Sequence, residues 1–130
     1  MVAFNFMERF ASQIEAGDKM QTIRARGKRR PPKVGENLQL YTGLRTTAVR
    51  KLRWTDPVCT SVEDISISAR TGVVSMIRDN RWQHLDADEI EALAKADGFA
   101  CADDFFEFFL TQHGKTFSGY LIKWGSSPVH

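Results

Sequence analysis

The sequence predicts an α+β domain: one mixed or antiparallel sheet, curled into a small β-barrel, with about three helices flanking it. Three observations carry this reading. Runs rich in β-branched residues recur at 47–54, 58–68 and 73–82, and again at 116–124. Three other segments place apolar residues at helical spacing, and each is closed by a glycine: Gly17, Gly98 or Gly114. No repeat or low-complexity tract is present, and 130 residues suit a single domain, taken as 1–125 with a loose tail at 126–130.

Taken in order, residues 2–5 read as a short opening strand. Phe6, Met7, Phe10, Ala11 and Ile14 then recur at helical spacing, which predicts a helix over 6–16. A strand over 22–26 follows. The segment 27–33, Gly-Lys-Arg-Arg-Pro-Pro-Lys, is a basic loop, because two prolines exclude both a helix and a central strand. Leu38 and Leu40 alternate with Gln39 and Tyr41 in a strand that ends at Gly43, and the three β-branched runs come next. Asp86 is an N-cap, Glu89 completes a capping box and Leu85 staples onto Ile90, so a helix starts here and stops at Gly98. Phe105, Phe108, Phe109 and Gln112 mark a further helix, before a last strand with Phe117, Gly119 and Leu121 on one face.

Composition excludes several classes. Apolar content of 42% and charged content of 26% are those of ordinary globular domains. The longest apolar run, 105–110, is interrupted by Glu107, so no membrane span is expected, and the N-terminus lacks the pattern of a secretion signal. Cys59 and Cys101 form no metal-binding pair and read as reduced residues of a cytoplasmic protein. His84 and His113 are isolated, so no metal and no cofactor are expected. The net charge of +2 conceals a segregation: eleven Lys/Arg against one acid over 19–53, then twelve acids against four Lys/Arg over 54–113. A basic surface of that kind is either a solvated face or a groove for the phosphates of a nucleotide or RNA.

The stretch 17–26, Gly-Asp-Lys-Met-Gln-Thr-Ile-Arg-Ala-Arg, is the most informative. Strand alternation puts Thr22, Arg24 and Arg26 on one face and Ile23 and Ala25 on the other, with Lys19 at the corner before them. A threonine hydroxyl becomes a nucleophile once a base takes its proton, and a neutral lysine is such a base. Neighbouring guanidinium groups favour the neutral amine and also suit an oxyanion or a phosphate. Lys-x-x-Thr spacing describes equally well a strand threonine among solvated basic neighbours. Asp97 is the second informative residue, because a carboxylate at a helix C-terminus is disfavoured by the helix dipole and is expected to have a partner elsewhere, such as Lys19.

The order of these pieces resembles the ASCH superfamily of small PUA-like β-barrel proteins. The matching residues are the helix 6–16 followed by Gly17-Asp18-Lys19-Met20-Gln21-Thr22-Ile23-Arg24; Val34-Gly35-Glu36 ahead of the strand 38–41; Tyr41-Thr42-Gly43-Leu44-Arg45-Thr46; Ala96-Asp97-Gly98-Phe99; and the closing Lys123-Trp124-Gly125. Within that superfamily the chain is most similar to the bacterial N4-acetylcytidine amidohydrolases. The resemblance implies a metal-free hydrolase that releases cytidine and a carboxylate, with Lys19 as base, Thr22 as nucleophile and Asp97 in place of the family's glutamate. Asp97 is one methylene shorter than that glutamate, and Glu91 is the second candidate for the acid. Arg24 and Arg26 are the candidate substrate-binding residues, and Trp82 and Tyr41 the better candidates for stacking on a pyrimidine. The implied partner is a modified nucleoside met by a monomer. RNA, held or cleaved through the basic stretch, is the alternative.

Overall fold

The computed structural model describes residues 2–125; the tail expected at 126–130 lies outside the described residues. Eight strands and three helices follow in the order β1 (Val2–Phe6), α1 (Glu8–Ala16), β2 (Gln21–Ala25), β3 (Leu38–Thr42), β4 (Arg50–Lys51), β5 (Val58–Ser68), β6 (Val73–Arg78), β7 (Arg81–His84), α2 (Ala87–Ala96), α3 (Ala102–His113) and β8 (Thr116–Gly125). The α+β class is as expected. The single curled barrel is not: the strands form two sheets, β1-β3-β4 and β2-β8-β5-β6-β7.

The sheets are stitched on one side only. Asn37 bridges to Val58, Leu38 N–H donates to Pro57 O at 2.9 Å, and Cys59 N–H donates to Glu36 O at 2.9 Å. On the other side β1 pairs only with β3, in parallel, and β2 only with β8, antiparallel. The ladder that would close a barrel is missing there. In its place the Arg24 side chain donates through Nη2 to Asn5 O at 2.9 Å.

The core fills the space between these sheets and the helices. Phe105, Phe109, Ile14, Leu38, Leu40, Ile65 and Leu121 are all essentially inaccessible. Phe99 ties the helices together, with ring centroids 5.3 Å from Phe10 and 5.5 Å from Phe105, both edge-on. Gly119, opposite Ala25 in the β2–β8 ladder, is required by close approach, since a Cβ there would lie 2.1 Å from Arg24 O.

Three element boundaries differ from expectation. Helix α1 starts at Glu8, because Phe6 continues β1 opposite Thr42 and buries its ring edge-on to Trp124. The run 47–54 contributes only the two residues of β4. Thr46 Oγ1 donates to Gly43 O at 2.6 Å and accepts from Ala48 N–H at 3.1 Å, so side-chain bonds hold this segment as a turn. The run 73–82 is a hairpin, β6–β7, whose turn residues Asp79 and Asn80 both adopt positive φ, 53° and 63°. Helix α2 has the predicted capping box, with Glu89 N–H donating to Asp86 Oδ1 at 2.8 Å and Asp86 N–H to Glu89 Oε1 at 3.2 Å. Both cysteines are free thiols, and among the described residues no helix is long and apolar enough to cross a membrane.

Candidate active site

Helix α1 ends at Gly17, whose φ of 82° turns the chain back so that Asp18 and Lys19 both donate their N–H to Gln13 O, at 2.9 and 3.1 Å. That wrap aims Lys19 inward at the start of β2. Helix α2 reaches the same point from the opposite direction, with Asp97 as its C-cap residue. Gly98 follows with φ 96°, and a Cβ there would lie 2.4 Å from Gln13 Oε1 and 3.2 Å from Lys19 Cδ. Only glycine fits this left-handed, crowded position, so Gly98 is what lets Asp97 approach Lys19.

The two side chains form a buried ion pair, with Lys19 3% and Asp97 4% exposed. Lys19 Nζ donates to Asp97 Oδ1 at 3.1 Å and to Asp97 O at 2.5 Å. The amine therefore also satisfies an orphan carbonyl at the negative end of α2. Gln21 Nε2 donates to Asp97 Oδ1 at 3.4 Å, and the Phe10 ring lies 4.8 Å from Lys19 Nζ. Burial lowers the Lys19 amine below its ordinary value, with Arg24 and Arg9 adding to the effect while Asp97 opposes it. Burial likewise raises the Asp97 carboxyl, against the attraction of Lys19. Both shifts have one cause: low polarity penalises each charge, and the pair recovers part of that cost.

Thr22 is also buried, at 5% exposure, and its Oγ1 accepts from Arg24 Nε at 3.1 Å. Among the described residues no hydrogen bond joins Thr22 to Lys19. A hydroxyl has one proton to donate and two lone pairs, so Thr22 keeps its proton unassigned while Arg24 holds one lone pair. The Arg24 guanidinium lies over the rings of Phe4 and Phe6, at 5.0 and 4.7 Å, and burial brings its pKa down to about 10.

Lys19, Thr22, Arg24 and Asp97 all line one cavity of about 360 Å³. The structure does not bring Arg26 there. Arg26 lies past the end of β2, donates through Nη1 to Tyr120 Oη at 2.7 Å and pairs with Asp64. Glu91 is likewise occupied elsewhere, accepting from Ala102 N–H at 2.8 Å and so capping α3 from the neighbouring helix. Trp82 belongs to β7, at the far edge of its sheet, and neither it nor Tyr41 lines the cavity.

The aromatic wall of the cavity comes instead from Phe6, Phe10, Phe99, Phe108 and Phe109, with Gln112 and His113 at the end of α3. His113 stacks on Phe109 with a centroid separation of 5.4 Å, and burial lowers its pKa. Phe105 and Phe109 are buried in the core, and His113 is the last residue of α3. Phe105, Phe106, Phe108 and Phe109 share one broad face of α3, so Phe108 and Phe109 reach the cavity from the edge of the core they pack into. Among the described residues no group of three or more His, Cys, Asp or Glu side chains is placed to hold a metal ion.

Neither a family model, nor a curated protein, nor a solved structure matches this chain.

Proposed function

We propose that the chain is an amidohydrolase that cleaves the N4-acyl amide of N4-acetylcytidine or a related acylated cytosine nucleoside. The observation that supports it most is the convergence of Lys19, Thr22, Arg24 and Asp97 on one aromatic-walled cavity, with an amine whose burial favours its neutral, basic form. The apolar wall suits a flat pyrimidine carrying an acyl group.

In the proposed reaction Thr22 Oγ1 forms a bond to the acyl carbonyl carbon as its proton passes to the neutral Lys19 amine. Arg24 Nε already donates to that oxygen and favours loss of its proton, and as the bond forms the negative charge passes to the acyl carbonyl oxygen until the C–N bond breaks. The C–N bond then breaks, and the proton held by Lys19 goes to the leaving exocyclic nitrogen. Water adds to the acyl-threonine ester and releases the carboxylate, restoring Thr22. Asp97 acts as the positioning residue, holding the amine at the end of α2.

The test is release of cytidine from N4-acetylcytidine, followed by absorbance, for the native chain beside Lys19→Ala, Thr22→Ala and Asp97→Ala. Turnover by the native chain should fall about 10³-fold or more in the first two variants. Absence of turnover by the native chain on acetyl and larger acyl groups rejects the reading. A second reading, RNA binding or RNA cleavage through the basic stretch, is favoured by the charge segregation over 19–53. Under simple RNA binding, Thr22→Ala leaves the RNA affinity intact.

A further inference from the structure

A second cavity, of about 440 Å³, adjoins the first where the barrel fails to close. Asn5, Arg24 and Ala25 line both, so the two are contiguous along one strip of β1 and β2. The second is bounded by β1, by Tyr120 and Ile122 of β8, and by the basic loop after β2. Among the described residues Arg24, Lys28, Arg29 and Arg30 line it, and no carboxylate does. These cations differ in what already holds them. Arg30 is neutralised in a two-pronged pair with Glu36, at 3.0 and 2.9 Å. Lys28 and Arg29 have no ion pair among the described residues. Among the described residues Arg24 spends one N–H on Thr22 Oγ1 and one on Asn5 O, which leaves three of its five donors without a partner there, on a guanidinium that lies over two aromatic rings.

Such an arrangement fits a small anion rather than a neutral sugar. Unspent donors on a partly desolvated guanidinium, beside two further unpaired cations, are what a phosphate uses. Each cavity alone lies in the lower part of the ~300–1,000 Å³ range of small-molecule sites, and the two together remain within it.

We propose that the second cavity is a phosphate subsite, so that the substrate class of the site is a phosphorylated N4-acylcytidine: its acylated base faces Thr22 in the first cavity and its phosphate meets Arg24, Lys28 and Arg29 in the second. The substrate assignment rests on the hydrolase reading above; the anion site does not. Tyr120 and the prolines of the loop supply the wall against which the intervening ribose lies.

Binding separates the two claims. Cytidine 5′-monophosphate and cytidine are titrated against the native chain and against the double variant Lys28→Ala/Arg29→Ala. The nucleotide should bind the native chain at least about tenfold more tightly than the nucleoside, and the double variant should bring that ratio to about one. Equal affinities in the native chain, or no binding of the nucleotide, overturn the subsite whatever the turnover. The ratio of kcat/KM for N4-acetylcytidine 5′-monophosphate over N4-acetylcytidine should follow the same pattern, at least about tenfold and then about one. A purely structural effect of the substitutions would lower both values and leave the ratio. Preferential nucleotide binding without turnover of either acyl substrate keeps the anion site and rejects the hydrolase. An acetylated oligoribonucleotide turned over at least about tenfold better than the mononucleotide overturns the mononucleotide as the source of the phosphate.

Discussion

A guanidinium that donates to Thr22 Oγ1 at 3.1 Å and also disfavours protonation of Lys19 acts on both members of the proposed nucleophile–base pair at once. Two effects of its removal can be told apart. Losing the donor removes stabilisation of the developing alkoxide, and Arg24→Gln should lower kcat about 10²–10³-fold. Losing the positive charge lets the Lys19 amine rise. Because the proposed reaction uses Lys19 in its neutral form, activity should grow as pH increases through its pKa, so the acid limb of kcat/KM should move to higher pH in Arg24→Gln. Arg24→Lys, which keeps the charge, should lose rate without that displacement. A pH-rate profile that stays in place in Arg24→Gln would show that its charge does not govern the Lys19 amine, and an unchanged kcat as well would reduce Arg24 to a packing role. Lys19, Thr22 and Arg24 were legible in the sequence because strand alternation and the glycine-closed helix fix their directions locally. Arg26 was not, since its partners are Tyr120 and Asp64 on two other strands, and spacing along one strand carries no information about them.

Element ends place the site, and they divide into those that local chemistry announces and those that it hides. The α2 cap is written in Asp86 and Glu89, and the ends of all three helices in their glycines. The β6–β7 turn was hidden because Asp79-Asn80 reaches positive φ without a glycine, and β4 because the Thr46 side chain replaces ladder bonds with turn bonds. Gly98 has two duties, a left-handed φ and a close approach to Lys19 and Gln13. Gly35 has φ 91° and open space beside it, so it carries the first duty alone. Gly35→Ala and Gly98→Ala should each lose about 1–3 kcal/mol of stability through backbone strain. Only Gly98→Ala should in addition lose activity well beyond the loss of folded protein, because its Cβ displaces Lys19 from Asp97. Denaturant midpoints read beside kcat on N4-acetylcytidine give the comparison, and proportional losses in both variants would show that the crowding at Gly98 is absorbed elsewhere.

At the scale of the molecule, sequence patterning predicted strands and helices but not that the sheet would open between β1 and β2, because closure depends on which edges meet. The same opening adjoins the two contiguous cavities, and a buried ion pair lines the first of them by joining the corner before β2 to the end of α2, 78 residues apart. Burying two opposite charges is costly, and removing one partner costs more than removing both. Asp97→Asn leaves Lys19 facing low polarity without a counter-charge, and its folded-state amine falls further below the ordinary 10.5. The unfolded chain then binds more protons than the folded one at all pH values between the two, so stability rises with pH across that window. We expect a deficit against the native chain of about 3–5 kcal/mol near neutral pH, narrowing as pH climbs toward the unfolded value. The double variant Lys19→Met/Asp97→Leu should be closer to the native stability than Asp97→Asn, since it leaves no uncompensated charge, while having no activity under the proposed hydrolase reading. Urea midpoints of the three chains over a pH series decide it: a deficit in Asp97→Asn that is independent of pH would mean that Lys19 is already neutral beside Asp97.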